Sequence, residues 1–219
     1  MSSQPWQCAP LVALDLEGSG AQDREHEAIL EVAFVPLVDG VPDLDGEFSS
    51  LVNPGREIRQ ARWISPGLTN DVLSQAPAFG DLVDQIAERV TGRWLIGHNV
   101  GVDWRLLHRH APQLRPAGFI DTLRLARAAQ LPGRLTLTAI LEQLGLTAAV
   151  CHAVPAGQPH RALWDAAAAA VLLPALIERL SFGGGPAIED VAGRAATQAV
   201  SGGQPPAPNA DAIAQDRLF

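Results

Sequence analysis

Two carboxylates separated by a single residue follow an apolar run near the start of the chain. Residues 11–16 are predicted to form a strand, and Asp15 and Glu17 lie at its end. Because side chains at i and i+2 of a strand point to the same face, we expect these two acids to lie side by side. Two like charges partly removed from water repel each other, and a divalent metal ion would relieve that repulsion. For this pair alone, a solvated polar turn is the alternative interpretation.

Two later segments supply further acids and a histidine. Asp103 follows a predicted short strand and lies near the start of a helix, while His160 precedes a long helix that contains Asp165. Taken singly, Asp103 is also explained as a helix-capping acid and His160 as a solvated loop residue. Asp165 is harder to explain by packing, because a buried acid on an otherwise apolar helix requires a partner.

The candidate residues of the three segments are four carboxylates and one histidine, and none of them is a cysteine. Oxygen-rich sites favour Mg²⁺ or Mn²⁺ over zinc. Four carboxylates can hold two metal ions roughly 3.5–4 Å apart, an arrangement that cleaves phosphodiesters. A neutral histidine nearby is suited to deprotonate the attacking water. The residue types therefore point to metal-dependent phosphodiester hydrolysis.

The elements that must position these residues follow from the hydrophobic pattern. Three strands joined by short turns predict an antiparallel meander, after which short strands alternate with amphipathic helices. The predicted strands are residues 11–16, 29–35, 47–52, 94–97 and 119–121, and the main predicted helices are 79–90, 102–110, 136–144 and 161–180. This order predicts an α/β fold with a mixed central sheet flanked by helices. Glu31 interrupts the second strand and is expected at an edge or beside a turn.

Length and composition narrow the class of protein. The chain has 219 residues, of which 47% are hydrophobic, enough for one sizeable domain. No apolar run reaches the roughly 20 residues of a membrane span, and the N-terminus has no secretory-signal pattern. Cys8 and Cys151 are too few for a disulfide framework or a zinc site. We therefore expect a cytoplasmic protein without membrane contact.

The charge is unevenly distributed along the chain. The net charge of −8 argues at first against a nucleic-acid partner. Residues 1–50 contain ten acids and one Arg, whereas residues 89–134 contain eight Arg and two acids. This basic segment is interpreted either as a solvated helical face or as a face that contacts phosphates.

The three acidic segments resemble the Exo I, Exo II and Exo III motifs of the DEDDh (DnaQ-like) 3′→5′ exonucleases. That superfamily includes the proofreading epsilon subunit of bacterial DNA polymerase III. The resemblance extends over roughly residues 10–180 and includes the order and spacing of the motifs. The histidine five residues before the last aspartate is typical of the h-type subfamily. The resemblance implies a ribonuclease H-like sheet.

The resemblance also implies a role for each residue of the motifs. Asp15 is expected to bridge two Mg²⁺ or Mn²⁺ ions, and Glu17 and Asp165 to bind one each. Asp103 is expected to complete the shell of the outer ion through water, and His160 to be the general base. The expected products are nucleoside 5′-monophosphates released from a 3′ end.

Contacts with the nucleic acid are expected at two of the motifs. Gly18 and Ser19 follow the glutamate, where the family usually has two threonines that contact the terminal nucleotide. His98 and Asn99 belong to the second motif and are also expected to contact nucleic acid.

The C-terminal part of the chain has a different composition. Residues 1–182 are predicted to form the exonuclease domain, and 183–219 a flexible tail rich in Gly, Pro and Ala, with one short helix. Gln215, Leu218 and Phe219 resemble the peptide that docks on the bacterial sliding clamp, and an incidental chain end is the alternative. A DNA polymerase subunit is a second expected partner.

Three functions are compatible with these features. The first is a DNA 3′→5′ exonuclease, most consistent with single-stranded DNA in replication proofreading or repair. The second is an RNase of the same fold that trims RNA 3′ ends, which a comparison of DNA and RNA substrates separates from the first. The third is a degenerate domain that binds nucleic-acid ends or a partner without cutting, against which the intact acids argue.

Overall fold

A computed structural model describes residues 4–20, 27–180, 182 and 185–196. Its strands are β1 (Leu11–Gly18), β2 (Ile29–Val38), β3 (Val41–Pro42), β4 (Phe48–Leu51), β5 (Trp94–Gly97) and β6 (Gly118–Asp121). They form one sheet in the order β3-β2-β1-β5-β6, with β4 beside β2. β1 is antiparallel to β2 and parallel to β5, which in turn is parallel to β6. The predicted mixed sheet is confirmed.

Helices cover both faces of this sheet. They are α1 (Asn70–Ser74), α2 (Phe79–Val90), α3 (Val100–His110), α4 (Thr122–Ala128), α5 (Leu137–Leu144), α6 (Thr147–Ala153), α7 (Ala162–Arg179) and α8 (Ile188–Ala196). None of the helices in the described ranges has both the length and the hydropathy of a membrane span.

The alternating side chains of β1 divide the core into two layers. Leu11 and Ala13 are buried in a cluster that includes α7, whereas Val12 and Leu14 are buried in a cluster that includes α2 and α3. The same period of two assigns the side chains at positions 15 and 17 to the α7 face of the sheet. α7 approaches that face closely because the side chains of residues 166–170 are all alanine and all buried.

Two local predictions are wrong, and one helix was not predicted. Glu31 lies inside β2, between β1 and β4, and is only 6% exposed. Its charge suggested an edge position, but an ion pair with Arg161 allows the burial. α3 begins at Val100, two residues before the predicted start, and α6 was not predicted at all.

The folded part of the chain extends beyond residue 182. Ile188, Val191 and Ala195 of α8 are buried in the same core cluster as α7. The short helix predicted within the tail is present, but it packs on the core, so the prediction of a flexible tail from residue 183 does not hold for it. Residues 197–219, including the predicted sliding-clamp peptide, lie outside the described residues.

Candidate active site

The site begins at the end of β1. Glu17 is buried and Asp15 is half-buried. In the pairing of β1 with β2, Asp15 lies opposite Ala33 and Glu17 opposite Glu31, and the register shifts directly after Glu17. The strand thus ends at this point with two acids on the face that α7 covers.

The third acid comes from α7. Asp165 lies in the first turn of that helix, and its carboxylate joins those of Asp15 and Glu17. One oxygen from each of the three residues lies within 4.8 Å of the others. We call this group the carboxylate cluster. Three acids at these distances can hold a divalent cation, as the sequence predicted.

The electrostatics of the carboxylate cluster favour a cation. Burial raises the pKa of the Asp165 carboxyl well above its ordinary value, and the negative charge of Glu17 raises it further. The backbone N–H of His160, which donates to Asp165 Oδ2 at 3.1 Å, acts in the opposite direction. A bound dication would favour the ionised form of all three acids and would remove this repulsion.

Asp103 lies beside the cluster and is fixed by β1. It is buried in the first turn of α3, and its Oδ1 accepts the backbone N–H of Leu16 at 3.2 Å. Leu16 is the residue between Asp15 and Glu17, so this bond holds the second motif against the first. The water-mediated role predicted for Asp103 stays a prediction.

His160 is exposed and lies two residues before α7. Its backbone has φ +64°, in the left-handed region, and its N–H bonds the Asp165 carboxylate as described above. The bond ties the backbone that carries the imidazole to the carboxylate cluster. Its role as a general base is compatible with this exposure and also stays a prediction.

Ser65 is a site residue that the sequence did not reveal. It is buried, and its hydroxyl donates to Glu17 Oε2. Ser65 lies in the loop between β4 and α1, 48 residues from Glu17 along the chain. A turn signal at Ser65-Pro66-Gly67 was visible, but nothing in it indicates contact with an acid.

The Glu31–Arg161 ion pair was also missed. Arg161 Nε donates to Glu31 Oε2 and Nη2 to Glu31 Oε1, each at 2.8 Å. The Glu31 carboxylate also accepts the backbone N–H of Ala162 at 3.3 Å. An acid in the middle of an apolar strand was the available signal, because such an acid requires a partner.

The predicted nucleic-acid contacts Gly18 and Ser19 are both buried. The Ser19 hydroxyl accepts the N–H of Ala28 at 2.9 Å and lies 3.1 Å from the Gly20 carbonyl, to which it donates. The indole N–H of Trp63 donates to the Ser19 carbonyl at 3.2 Å, and Trp63 is 39% exposed. The hydroxyl therefore stabilises the loop, and its contact with nucleic acid stays a prediction.

His98 and Asn99 lie where β5 passes into α3. His98 Nε2 donates to the Leu135 carbonyl at 2.8 Å, since a carbonyl can only accept, and Nδ1 lies 3.0 Å from Thr122 Oγ1. Asn99 is exposed and has φ +70°, and its N–H donates to Asp121 Oδ1 at 3.0 Å. Both residues shape the connection to Asp103, and their contact with nucleic acid stays a prediction.

The arginines of the basic segment are spread over several elements. The Arg89 guanidinium lies 4.4 Å from the centre of the Phe48 ring. Arg115 Nη1 donates to the carbonyls of Pro112 and Leu114 at 2.6 and 2.8 Å. These arginines have partners within the protein, so contact of the whole segment with phosphates stays a prediction.

Comparison with known proteins agrees with this geometry. A family model described as Exonuclease (RNase_T) matches residues 12–173. The chain is 29% identical over 177 residues to the DNA polymerase III subunit epsilon of Aquifex aeolicus, a match covering 78% of this chain and 82% of that protein. It is 26% identical over 178 residues to the PolC-type DNA polymerase III of Thermotoga petrophila. That match covers 78% of this chain but only 12% of the much longer relative.

Solved structures show the same fold. Exonuclease X, in complex with 5′ overhanging duplex DNA, superposes with a TM-score of 0.62 at 25% identity. The superposition covers 84% of this chain and 99% of the Exonuclease X chain. The nuclease domain of 3′hExo, a DEDDh family member bound to rAMP, has a TM-score of 0.56 at 16% identity, with coverages of 77% and 92%. The sheet is thus ribonuclease H-like, as predicted. The chain belongs to the RNase_T exonuclease family and is a 3′→5′ exonuclease.

Proposed function

We propose that this exonuclease degrades DNA from the 3′ end, with single-stranded DNA as the preferred form, in replication proofreading or repair. The observation that carries the chemistry is the carboxylate cluster, in which oxygens of three acids from β1 and α7 lie within 4.8 Å of one another. The preference for DNA is supported by the similarity to a polymerase III epsilon subunit and to Exonuclease X, whose structure contains DNA.

The residues present fit a pair of divalent ions. Asp15, Glu17 and Asp165 would hold Mg²⁺ or Mn²⁺ directly, and Asp103 is near enough to raise the pKa of Asp165 by its charge. When bound, the ions would polarise the scissile phosphate and stabilise the leaving 3′-oxygen. Ser65 holds one Glu17 oxygen, and the Leu16 N–H holds one Asp103 oxygen, so both acids are oriented before substrate arrives.

His160 is proposed to accept the proton of the attacking water on its imidazole. Its exposure gives water direct access to the ring, and its N–H bond to Asp165 sets its distance from the carboxylate cluster. Attack of that water on the phosphorus and departure of the 3′-oxygen release a nucleoside 5′-monophosphate. Gly18, Ser19, His98 and Asn99 are proposed to contact the terminal nucleotides.

Two protein partners are part of the proposal. A DNA polymerase subunit is supported by the polymerase III relatives. The sliding clamp is supported by the sequence of Gln215, Leu218 and Phe219 alone. Deletion of residues 215–219 is expected to abolish binding to a purified bacterial clamp and to leave hydrolysis of free oligonucleotides unchanged. A cytoplasmic location is also proposed, and the exposed free thiols of Cys8 and Cys151 suit a reducing compartment.

The first experiment is degradation of 5′-labelled single-stranded DNA and of RNA with the same sequence, each with Mg²⁺ or Mn²⁺. Asp15→Asn is the control, because it removes the charge and keeps the shape of the side chain. We expect a ladder that shortens from the 3′ end, faster for DNA and absent in the control. Faster shortening of RNA would identify the enzyme as an RNA-trimming exonuclease. Absence of cleavage by folded protein would favour a binding module.

A further inference from the structure

We propose that Glu31 and Arg161 are positioning residues of the active site, and that their ion pair holds His160 and Asp165 in place beside the acids of β1. The proposal deepens the proposed function and rests on it, because it assumes that His160 and Asp165 take part in hydrolysis. Neither Glu31 nor Arg161 is part of the carboxylate cluster.

The ion pair is bidentate, and its Glu31 carboxylate is buried. The Arg161 guanidinium meets both oxygens of Glu31 through two parallel bonds of 2.8 Å. Such a bidentate pair fixes orientation as well as distance. The Glu31 side chain is 8% exposed and that of Arg161 30%, so solvent screens the interaction only partly.

Glu31 also accepts a hydrogen bond from the first residue of α7. Its Oε2 accepts the N–H of Ala162, one of the donors that a helix leaves unpaired at its N-terminus. β2 is therefore bonded to the start of α7 through one side chain that has three contacts. The helix start cannot shift along the sheet without breaking these contacts.

These contacts act directly on the positions of His160 and Asp165. His160 immediately precedes Arg161, and the His160 N–H donates to Asp165, which lies one turn further along the helix. Movement of the Arg161 backbone would displace the imidazole and loosen the bond that holds Asp165. A displacement of about 1 Å in such a site can reduce the rate about 10²-fold.

The location of the pair argues for more than packing. Glu31 lies directly opposite Glu17 in the β1–β2 register, so their Cβ atoms are about 5 Å apart. Without Arg161, a buried Glu31 charge would add to the repulsion within the carboxylate cluster. Buried ion pairs often contribute little net stability compared with apolar residues, which leaves geometry as the reason for this one.

The test uses Arg161→Lys and Glu31→Gln, with Arg194→Lys as the matched control. Lysine keeps the charge and loses the bidentate geometry, whereas glutamine keeps an acceptor and loses the charge. Arg194 lies on α8 beside Phe182 and contacts no site residue in the described ranges. The measurements are Tm, kcat and KM on 5′-labelled single-stranded DNA, and Mn²⁺ affinity by calorimetry.

For Arg161→Lys we expect a kcat lower by about 10-fold or more, an unchanged KM, and weaker Mn²⁺ binding, as is typical for residues that orient metal ligands. Glu31→Gln is expected to change kcat in the same direction and less strongly. The double variant is expected to be no worse than Arg161→Lys, because both substitutions break one interaction. Arg194→Lys is expected to behave as wild type.

Wild-type kcat and Mn²⁺ affinity in both folded variants would overturn the proposal. Failure of both variants to fold would assign the pair a purely structural role and would overturn it as well. Failure of the proposed function is distinguishable, because wild-type protein would then hydrolyse neither DNA nor RNA. In that case the Mn²⁺ affinities alone still decide whether the pair positions Asp165.

Discussion

Asp165 is held in surroundings that oppose its ionisation. Burial, Glu17 and the other nearby acids raise the pKa of its carboxyl above the ordinary value. The native state therefore binds this proton more tightly than the unfolded state does. As pH rises above the ordinary carboxyl pKa of about 4, the unfolded state loses this proton first. The free energy of unfolding therefore falls until the pH passes the raised native pKa.

A consequence is that Asp165→Asn stabilises the metal-free protein at neutral pH. We expect its Tm in EDTA at pH 7 to exceed that of wild type, by about 2–4 °C for each kcal/mol gained. This difference in Tm should disappear as the pH approaches 4, where the wild-type carboxyl is protonated in both the native and the unfolded state. Mn²⁺ should raise the Tm of wild type and leave that of Asp165→Asn almost unchanged. A lower Tm for the variant in EDTA at pH 7 would contradict this account.

His160→Asn tests the general base while preserving the backbone. Asparagine tolerates the left-handed φ of +64° at this position, so the loop and its bond to Asp165 should persist. We expect kcat to fall about 10²–10⁴-fold, with KM and Mn²⁺ affinity unchanged. Steady-state kinetics and calorimetry check this prediction, and a variant with wild-type kcat would remove His160 from the mechanism.

The acids of the carboxylate cluster could be found from the sequence because each lies beside a recognisable element boundary. Asp15 and Glu17 follow an apolar strand, and Asp165 lies on an alanine-rich helix. Ser65 and Arg161 could not be found in this way. Their partners are 48 and 130 residues distant along the chain, and only the packed sheet brings them together.

At the scale of elements, Asp121 links two parallel strands to the helices that follow them. It ends β6 and caps α4, with Oδ1 accepting the N–H of Leu123 at 3.0 Å. The same oxygen accepts the N–H of Asn99 at the end of β5. The connection that leads to Asp103 is therefore anchored by a residue of the neighbouring strand.

Asp121→Ala is expected to lower the stability by about 0.5–2 kcal/mol for the lost cap, and more because the Asn99 N–H loses its partner. The change should reduce Mn²⁺ affinity only slightly, because the Leu16 bond still holds Asp103. Thermal unfolding and calorimetry measure the two effects. The matched control is Asp71→Ala, an exposed acid in the first turn of α1. An equal loss of stability in the control would count against this role of Asp121.

Long elements were predictable, and some of the short ones were not. α2 and α7 were predicted within about two residues, α2 because its apolar positions repeat at helical spacing and α7 because it is long and rich in alanine. β3 has only two residues and α6 seven, too few for a period to be recognised. Glu31 was misplaced because a charged residue within a strand is usually exposed to solvent, and its compensating cation, Arg161, lies 130 residues away along the chain.

At the scale of the whole molecule, the sequence placed the boundary of the domain too early. The glycines at 183–185 suggested the start of a tail, but α8 follows them and buries its apolar face against the core. A three-residue breaker cannot reveal whether the next helix returns to the domain, since that depends on a complementary surface elsewhere.

Truncation of the chain distinguishes a domain that ends at residue 182 from one that includes α8. Removal of all residues after 182 exposes the groove that Ile188 and Val191 fill, and each buried side chain of this kind contributes about 1.5–3 kcal/mol. We expect a strongly reduced Tm or aggregation for this variant. Removal of all residues after 196 should leave both Tm and kcat on free oligonucleotides at wild-type values. Equal Tm values for the two truncated proteins would show that α8 contributes nothing.

The same region joins the two ends of the described domain. The Ile188 N–H donates to the Gln4 carbonyl at 3.1 Å, and the Trp6 N–H to the Pro186 carbonyl at 3.0 Å. A short segment then leads to the start of β1, and along this strand Asp15 and Glu17 lie roughly 13 and 20 Å beyond Leu11. The bonded ends of the described domain and the carboxylate cluster thus lie at opposite ends of β1. A fluorophore attached at Gln4 should therefore leave the carboxylate cluster, where we propose that the nucleic-acid strand binds, unobstructed.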